Sequence, residues 1–267
     1  MQPFICFVHI GKNGGTTFHQ ILHNNLPRFF SINRHKKTNG EFNKDHFRKF
    51  LRSTGARGIG GHTIKPYLDY ESIVKRPIFY ITFLREPVKR YVSLANFRKY
   101  LGWSPDIEHT FTFERYQDYQ TRHLTGKREL AGAIDMIRRL DFVGILEEYD
   151  TSLLLLRQQL KPFFDLKINY EKQNVAKDRN TNFYSIDTLP EAHLNRIKTE
   201  NALDIQLYQK SLEQFEQMKA DYEGDLQADL ATFKEENKHY HEKKSNYYFQ
   251  KAKNGLVRKV IQPIIMC

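Results

Sequence analysis

Cysteine is scarce in this sequence. Its 267 residues include only Cys6 and Cys267, too few for a disulfide framework or a metal site built on thiolates. The apolar runs at 77–84 and 152–156 fall far short of the ~20 residues that a membrane-spanning helix needs. No Asn-x-Ser/Thr glycosylation acceptor occurs. We therefore expect a cytoplasmic protein without a signal peptide or membrane span, and a Golgi lumen only if the chain is a truncated piece.

Acidic residues are scarce in the first hundred positions, where five Asp and Glu stand against 18 Lys and Arg. The remaining positions are nearly balanced, with 26 against 24, and the whole chain carries a formal charge of +11. A basic field favours polyanionic partners, so a polyanion-binding protein without catalytic activity is one interpretation. Nucleic acid is not favoured, because aromatics such as Phe7 and Phe83 lie in apolar runs and do not interleave with basic residues.

Buried strands and helices alternate along the chain. Apolar, β-branched runs at 4–10, 77–84 and 141–146 predict three buried strands, and each is followed by a helical pattern. This order predicts an α/β fold, a single domain with a central parallel sheet flanked by helices. We place that domain at 1–220 and a helical C-terminal extension at 221–267. The extension ends in 243–267, which has six Lys and Arg and no acid. This tail either packs on the domain or contacts an anionic membrane.

A glycine-rich loop joins the first predicted strand to the first helix. Its sequence is Gly11-Lys12-Asn13-Gly14-Gly15-Thr16-Thr17. Such a loop gathers backbone N–H groups and the helix dipole around an anion, while Lys12 adds a positive charge and the threonines add hydroxyl donors. The pattern predicts a phosphate cradle.

The second predicted strand ends in a cation. A P-loop for ATP or GTP has its lysine after the last glycine, and its companion strand supplies a carboxylate for Mg²⁺. Here Lys12 precedes Gly14, and Arg85 ends the strand. A nucleotide kinase is therefore the less favoured alternative, and we expect anion binding without a metal. Ser93 and Arg90 follow on the next helix, where Arg90 either clamps a phosphate or belongs to a solvated face.

Two segments together, HIGKNGGTTF (9–18) and FLREPVKRYVS (83–93), resemble the nucleotide-binding signatures of sulfotransferases that use 3′-phosphoadenosine 5′-phosphosulfate (PAPS). The similarity is greatest to the carbohydrate branch that contains the heparan sulfate 2-O- and 6-O-sulfotransferases, and it extends over about residues 4–220. The resemblance implies a P-loop-kinase-like sulfotransferase fold. It also implies transfer of a sulfuryl group from PAPS to a hydroxyl of a carbohydrate or glycolipid acceptor.

The resemblance also implies roles for single residues. The phosphosulfate would be held by Lys12, Asn13, Gly14, Gly15, Thr16 and Thr17, and the 3′-phosphate by Arg85 and Ser93. A nucleotide-covering loop maps to 173–180 and adds Lys177 and Arg179. Lys12 would also stabilise the leaving phosphate.

A histidine suits the role of general base, since its pKa lies near neutrality. Of 11 histidines, His62 follows small residues at 58–61 that let a side chain reach a cleft, and it matches the base of the resembled family. Gln120, Arg122 and His123 are candidate acceptor contacts, although an exposed polar helix would have the same sequence. The basic run at 34–37 either meets an acidic glycan or is a solvated loop.

Overall fold

A computed structural model of the chain describes residues 1–32, 41–171, 183–241, 250 and 252–265. Its centre is one five-stranded parallel sheet with the strand order β2-β3-β1-β4-β5. The strands are β1 (Phe4–Val8), β2 (Phe29–Ser31), β3 (Gly58–Gly61), β4 (Ile78–Leu84) and β5 (Phe142–Ile145). The α/β class, the parallel sheet and the single domain predicted from the sequence are confirmed.

Helices flank the sheet. They are α1 (Gly15–Asn25), α2 (Lys44–Thr54), α3 (Pro87–Tyr100), α4 (Ile107–Phe111), α5 (Tyr119–Thr125), α6 (Leu130–Arg139), α7 (Tyr149–Leu160), α8 (Glu191–Glu200), α9 (Ala202–Ala220) and α10 (Leu226–Lys238). The three strongest strand patterns became β1, β4 and β5. All five residues of β1 are buried, as expected for a strand that is covered on both faces.

Strand β3 has no strand-like sequence, yet it lies beside β1. A Cβ at Gly58 would lie 2.8 Å from the Phe29 ring and 2.9 Å from the Ile5 carbonyl oxygen. A Cβ at Gly60 would lie 2.8 Å from the same ring. Glycines therefore occupy this strand because the ring of Phe29 from β2 packs across it. Glycine is depleted in strands generally, so no pattern along the chain predicted this pairing.

The order of the strands locates a ligand site. From β1 the chain passes to β2 and β3 on one side of β1, and then crosses to β4 on the other side. Such a reversal opens a crevice at the carboxyl ends of the central strands, where open α/β sheets bind ligands. We call this end of the sheet the carboxyl edge, and the opposite end the amino edge. The glycine loop follows β1 directly at the carboxyl edge.

The C-terminal region packs on this domain. Phe233 of α10, Val257 and Ile265 belong to the same hydrophobic core as the sheet, so the core includes residues on both sides of position 220. Residues 252–265 form a C-terminal helical segment, which contains a π-helical turn at Val257–Ile261 and packs against α2. Within the described ranges, no helix has both the length and the apolar character needed to cross a bilayer.

Candidate functional site

The glycine loop makes a left-handed turn before α1. Lys12 has φ 73° and Gly14 has φ 76°, a region that costs a side chain with a Cβ about 1 kcal/mol or more. Helix α1 then begins at Gly15 with no acidic residue in its first turn. The positive end of the α1 dipole and the first N–H groups therefore face the carboxyl edge without a carboxylate from their own helix.

Packing within the protein explains both loop glycines. A Cβ at Gly14 would lie 2.5 Å from Leu146, and a Cβ at Gly15 would lie 2.1 Å from the His9 ring. The sequence analysis placed these glycines in a phosphate cradle. In the structure, contacts with Leu146 and His9 already require them, so the loop is held in shape by its own neighbours.

Arg85 stands at the end of β4. Helix α3 starts directly after it, with Pro87 in the first turn and Glu86 accepting hydrogen bonds from the Val88 and Lys89 amides. Arg85 Nη1 donates to the carbonyl oxygen of Lys12 at 3.0 Å. Its Nε is buried and has no hydrogen-bond partner among the described residues. Desolvation lowers the Arg85 pKa, with the Glu147 carboxylate opposing that shift.

Arg90 lies one turn into α3 and is only 1% exposed, so its interpretation as part of a solvated face is wrong. Its Nη2 donates to the Tyr116 carbonyl oxygen at 3.2 Å, and its guanidinium lies over the Tyr119 ring. Its Nε is buried without a hydrogen-bond partner in the described part of the chain. Burial lowers the pKa of Arg90, while Asp204 opposes that effect.

Two adjoining cavities open at the carboxyl edge. The larger has a volume of about 440 Å³ and the smaller about 290 Å³, and both are lined by Lys12, Arg85, Ser93 and Phe97. The larger cavity also includes His62, Gly14, Gly15, Thr16, Thr17 and Arg90. The structure thus brings together the two sequence motifs, 11–17 and 85–93, around one connected space.

Asn13 is the loop residue whose side chain turns away from this space. It is 1% exposed, and its Nδ2 donates at 2.7 Å both to the Phe83 carbonyl oxygen and to Gln120 Oε1. Gln120 is fully buried, accepts from the Arg85 amide at 3.0 Å and donates to the Arg85 carbonyl oxygen at 2.9 Å. The geometry gives Asn13 and Gln120 a positioning role in place of direct ligand contact.

The other two acceptor candidates also lie outside the cavity lining. Arg122 donates to the Glu114 carbonyl oxygen, and His123 is 3% exposed with its Nδ1 2.9 Å from Lys65 Nζ. They were predicted as substrate contacts because their segment resembles one that the sulfotransferase family has near the active site, and the alternative was an exposed polar helix. Helix α5 instead buries most of this polar face. Its first amides, those of Gln120 and Thr121, donate hydrogen bonds to the buried Asp204 carboxylate, which holds the start of the helix in the interior.

His62 follows β3 and its ring lines the larger cavity, where solvent can reach it. His62 Nδ1 lies 2.8 Å from the His9 carbonyl oxygen, which can only accept a hydrogen bond. In the neutral ring the proton therefore resides on Nδ1, and Nε2 is left with a free lone pair. Desolvation by the surrounding protein lowers the His62 pKa, the hydrogen bond with the His9 carbonyl oxygen opposes that shift, and Lys65 and Lys12 add to it.

Aromatic residues complete the lining. Tyr116, Tyr119 and Phe97 were not among the predicted site residues. Lys12 Nζ lies 4.2 Å from the centroid of the Phe97 ring, and a Cβ at Gly11 would lie 3.6 Å from the Tyr119 hydroxyl and 3.8 Å from His62 Cε1. Phe97 could have been found from its spacing, one helical turn beyond Ser93 on the same face of α3.

Lys177, Arg179 and the basic run at 34–37 lie outside the described residues.

No protein-family model matches the chain, and no curated protein matches it either. The functional conclusion therefore depends on the geometry of the site and on the sequence motifs.

Proposed function

We propose that this protein is a PAPS-dependent sulfotransferase with a P-loop-kinase-like sulfotransferase fold, acting on a hydroxyl of a carbohydrate-type acceptor. The observation that carries the proposal is the pair of adjoining cavities joined through Lys12, Arg85 and Ser93. A donor with phosphate groups at two ends of one adenosine needs two anion sites at a short separation. The helix dipole with Thr16 and Thr17 serves one site, and Arg85 with Ser93 serves the other.

The buried guanidinium groups support an anionic donor. Removing a cation from water is costly, and part of that cost persists at Arg90, whose buried Nε has no hydrogen-bond partner among the described residues. The buried Arg85 Nε makes no hydrogen bond within the same residues, and its ion pair with the Glu147 carboxylate is long, at 4.0 Å. A bound phosphate could accept charge-assisted hydrogen bonds from such groups. The site also fits metal-free binding by its residue types, since Arg85 directly follows β4, where a Mg²⁺-dependent P-loop enzyme needs a carboxylate.

The proposed reaction moves one sulfuryl group. The acceptor hydroxyl oxygen forms a bond to sulfur, the bond between sulfur and the phosphate oxygen breaks, and the hydroxyl proton passes to His62 Nε2. The His9 carbonyl holds the ring in the tautomer that leaves Nε2 open. Lys12, fixed above the Phe97 ring, is placed to offset the negative charge that develops on the departing phosphate.

A transfer screen tests the proposal. Purified protein is incubated with sulfur-labelled PAPS and a panel of glycans, glycolipids and small alcohols, without divalent metal, and label in each acceptor is counted. We expect transfer to at least one carbohydrate-type acceptor and none with His62→Ala. Turnover of ATP that requires Mg²⁺, with no binding of 3′-phosphoadenosine 5′-phosphate (PAP), would instead identify a kinase.

A further inference from the structure

The C-terminal helical segment, residues 252–265, carries an apolar ridge that faces solvent. Leu256, Val260 and Ile264 are 55%, 46% and 71% exposed, and they repeat every four residues. The opposite side of the segment is buried in the core, with Val257 at 0% and Ile265 at 4% exposure. One side of the segment therefore holds it to the protein while the other offers aliphatic surface to a partner.

The ridge has a firm support. Lys253 Nζ donates to the Pro27 carbonyl oxygen at 3.3 Å, and Asn254 Nδ2 lies 3.4 Å from His23 Nε2 on α1. At its other end the segment packs against α2. These contacts keep the three aliphatic side chains from folding back onto the domain.

A strongly basic surface borders the segment. At the amino edge of the sheet lies a groove of about 620 Å³, the basic groove, whose lining includes six cationic side chains: Arg28, Arg48, Arg52, Arg57, Lys75 and Arg76. Lys253 contacts the carbonyl of Pro27, the residue before Arg28, and α2 carries both Arg48 and Arg52. The segment therefore contacts two elements that supply residues to the basic groove, the chain before Arg28 and helix α2.

These charges are largely uncompensated. Within the described residues, no salt bridge neutralises Arg28, Arg52, Lys75 or Arg76, and Arg48 pairs only with the exposed Asp45. Lys259 on the segment itself is also exposed. An apolar ridge flanked by cations is the pattern of elements that lie in the interface of an anionic bilayer.

We propose that the apolar ridge and the adjoining cations dock this protein on the surface of an anionic phospholipid membrane. The ridge inserts between head groups, and Lys259 with the basic groove attracts the negative lipids. A second copy of the chain fits this face less well, because two-fold symmetry would set like charges against each other. A nucleic acid fits less well because the ridge is aliphatic and offers no ring for base stacking. The inference does not depend on the proposed sulfotransferase activity.

Vesicle cosedimentation with the full chain tests the inference. The probes are vesicles of phosphatidylcholine alone and of phosphatidylcholine with phosphatidylserine. We expect binding to the second kind only, weakened by added salt. The combined change Leu256→Ser, Val260→Ser and Ile264→Ser should reduce the partition coefficient on the order of tenfold or more, since it removes the aliphatic surface. Neutralising Lys259 and Arg52 to Gln should cost about fivefold for each cation in contact with the lipid surface.

Two controls match these variants. Phe163→Ser changes an apolar residue that is 39% exposed outside the segment, and Lys198→Gln removes an exposed cation on α8. Both should bind vesicles like the unaltered protein, and unchanged circular dichroism would show that all variants are folded. Equal binding by the ridge variant and the unaltered chain would overturn the inference. Absence of binding to the anionic vesicles would also overturn it. A dimer seen by light scattering and lost in the ridge variant, without vesicle binding, would identify the ridge as a contact between two copies of the chain.

Discussion

The two ends of the sheet hold cations in opposite states. At the carboxyl edge, Arg90 is fully buried and Arg85 is held by a hydrogen bond to the Lys12 carbonyl oxygen. At the amino edge, Arg52 and Arg57 are exposed. Burying a guanidinium costs several kcal/mol unless a partner offsets it, whereas an exposed one costs little and is screened by salt. Under the proposed function, the cations of the carboxyl edge would bind one defined ligand, whereas the exposed cations of the amino edge suit a diffuse anionic surface.

This contrast shows what a charge count leaves out. The basic excess of the first hundred residues includes both groups of cations, so it cannot distinguish the cleft from the basic groove. Burial and fixed hydrogen-bond geometry make the distinction. The His62 and Arg85 variants test whether the carboxyl edge is as specific as its buried groups indicate.

The largest effect is expected from His62→Ala. Loss of a general base reduces the rate by about 10²- to 10⁴-fold, while affinity for PAP should be nearly unchanged because the anion contacts remain. Turnover with the acceptor found in the screen and isothermal titration with PAP measure the two quantities. His239→Ala, which removes an exposed histidine after α10, is the control. Retained activity in His62→Ala would remove this residue from the mechanism.

The second prediction compares the two edges directly. Arg85→Ala should weaken PAP binding by about 2–3 kcal/mol, the size of a lost charge-assisted hydrogen bond. Arg52→Ala removes the same charge from the amino edge and should leave PAP affinity unchanged. Titration calorimetry measures both dissociation constants. An equal loss of PAP affinity in both variants would mean that the overall positive charge of the N-terminal third attracts PAP. The proposed difference between the two edges of the sheet would then be wrong.

The third prediction concerns the shape of the glycine loop. Gly15→Ala forces a methyl group to within 2.1 Å of the His9 ring and should reduce the free energy of unfolding by about 1–3 kcal/mol. Gly132→Ala is the matched control on α6, where the nearest atoms to the new methyl lie at 3.5 Å. It should stabilise the protein by about 0.4–1 kcal/mol. Urea unfolding measures the free energy of unfolding of both variants. An unchanged value for Gly15→Ala would show that packing against His9 does not hold the loop.

The sequence predicted those parts of the fold that depend on local patterns. Continuous apolar runs indicated β1 and β4, and the helical pattern after the second run indicated α3. Strand β3 was missed because its glycines are explained by the Phe29 ring, which comes from a different strand. Pairing of distant residues of this kind leaves no periodic signal along the chain.

In the candidate site, too, local sequence patterns predicted some features, whereas contacts between distant residues decided the others. The loop and Arg85 could be predicted because strand, glycine and cation follow one another in the sequence. The roles of Asn13 and Gln120 could not, since their hydrogen bond joins positions far apart and turns both side chains inward. Arg90 was ambiguous for a related reason: the residues that bury it, Tyr116 and Tyr119, belong to another part of the chain.

The smallest expected effect is the loss of stability at low pH that buried histidines cause. Burial lowers the pKa of His23 to about 3, and desolvation also lowers the pKa values of His9 and His19. An unfolded histidine has a pKa near 6.5. Between that pH and about pH 3, His23 is therefore protonated in the unfolded chain and neutral in the folded protein. His23 therefore contributes stability above pH 6.5, and this stability is lost as the pH falls toward 3.

Between pH 7 and pH 6 a single such histidine accounts for about 0.7 kcal/mol of the unfolding free energy. His23→Gln should reduce the pH slope by that amount whatever its effect on absolute stability, and His239→Gln removes one exposed histidine for comparison. Urea unfolding at the two pH values measures the slopes. An equal change in both variants would mean that burial of His23 is not the cause.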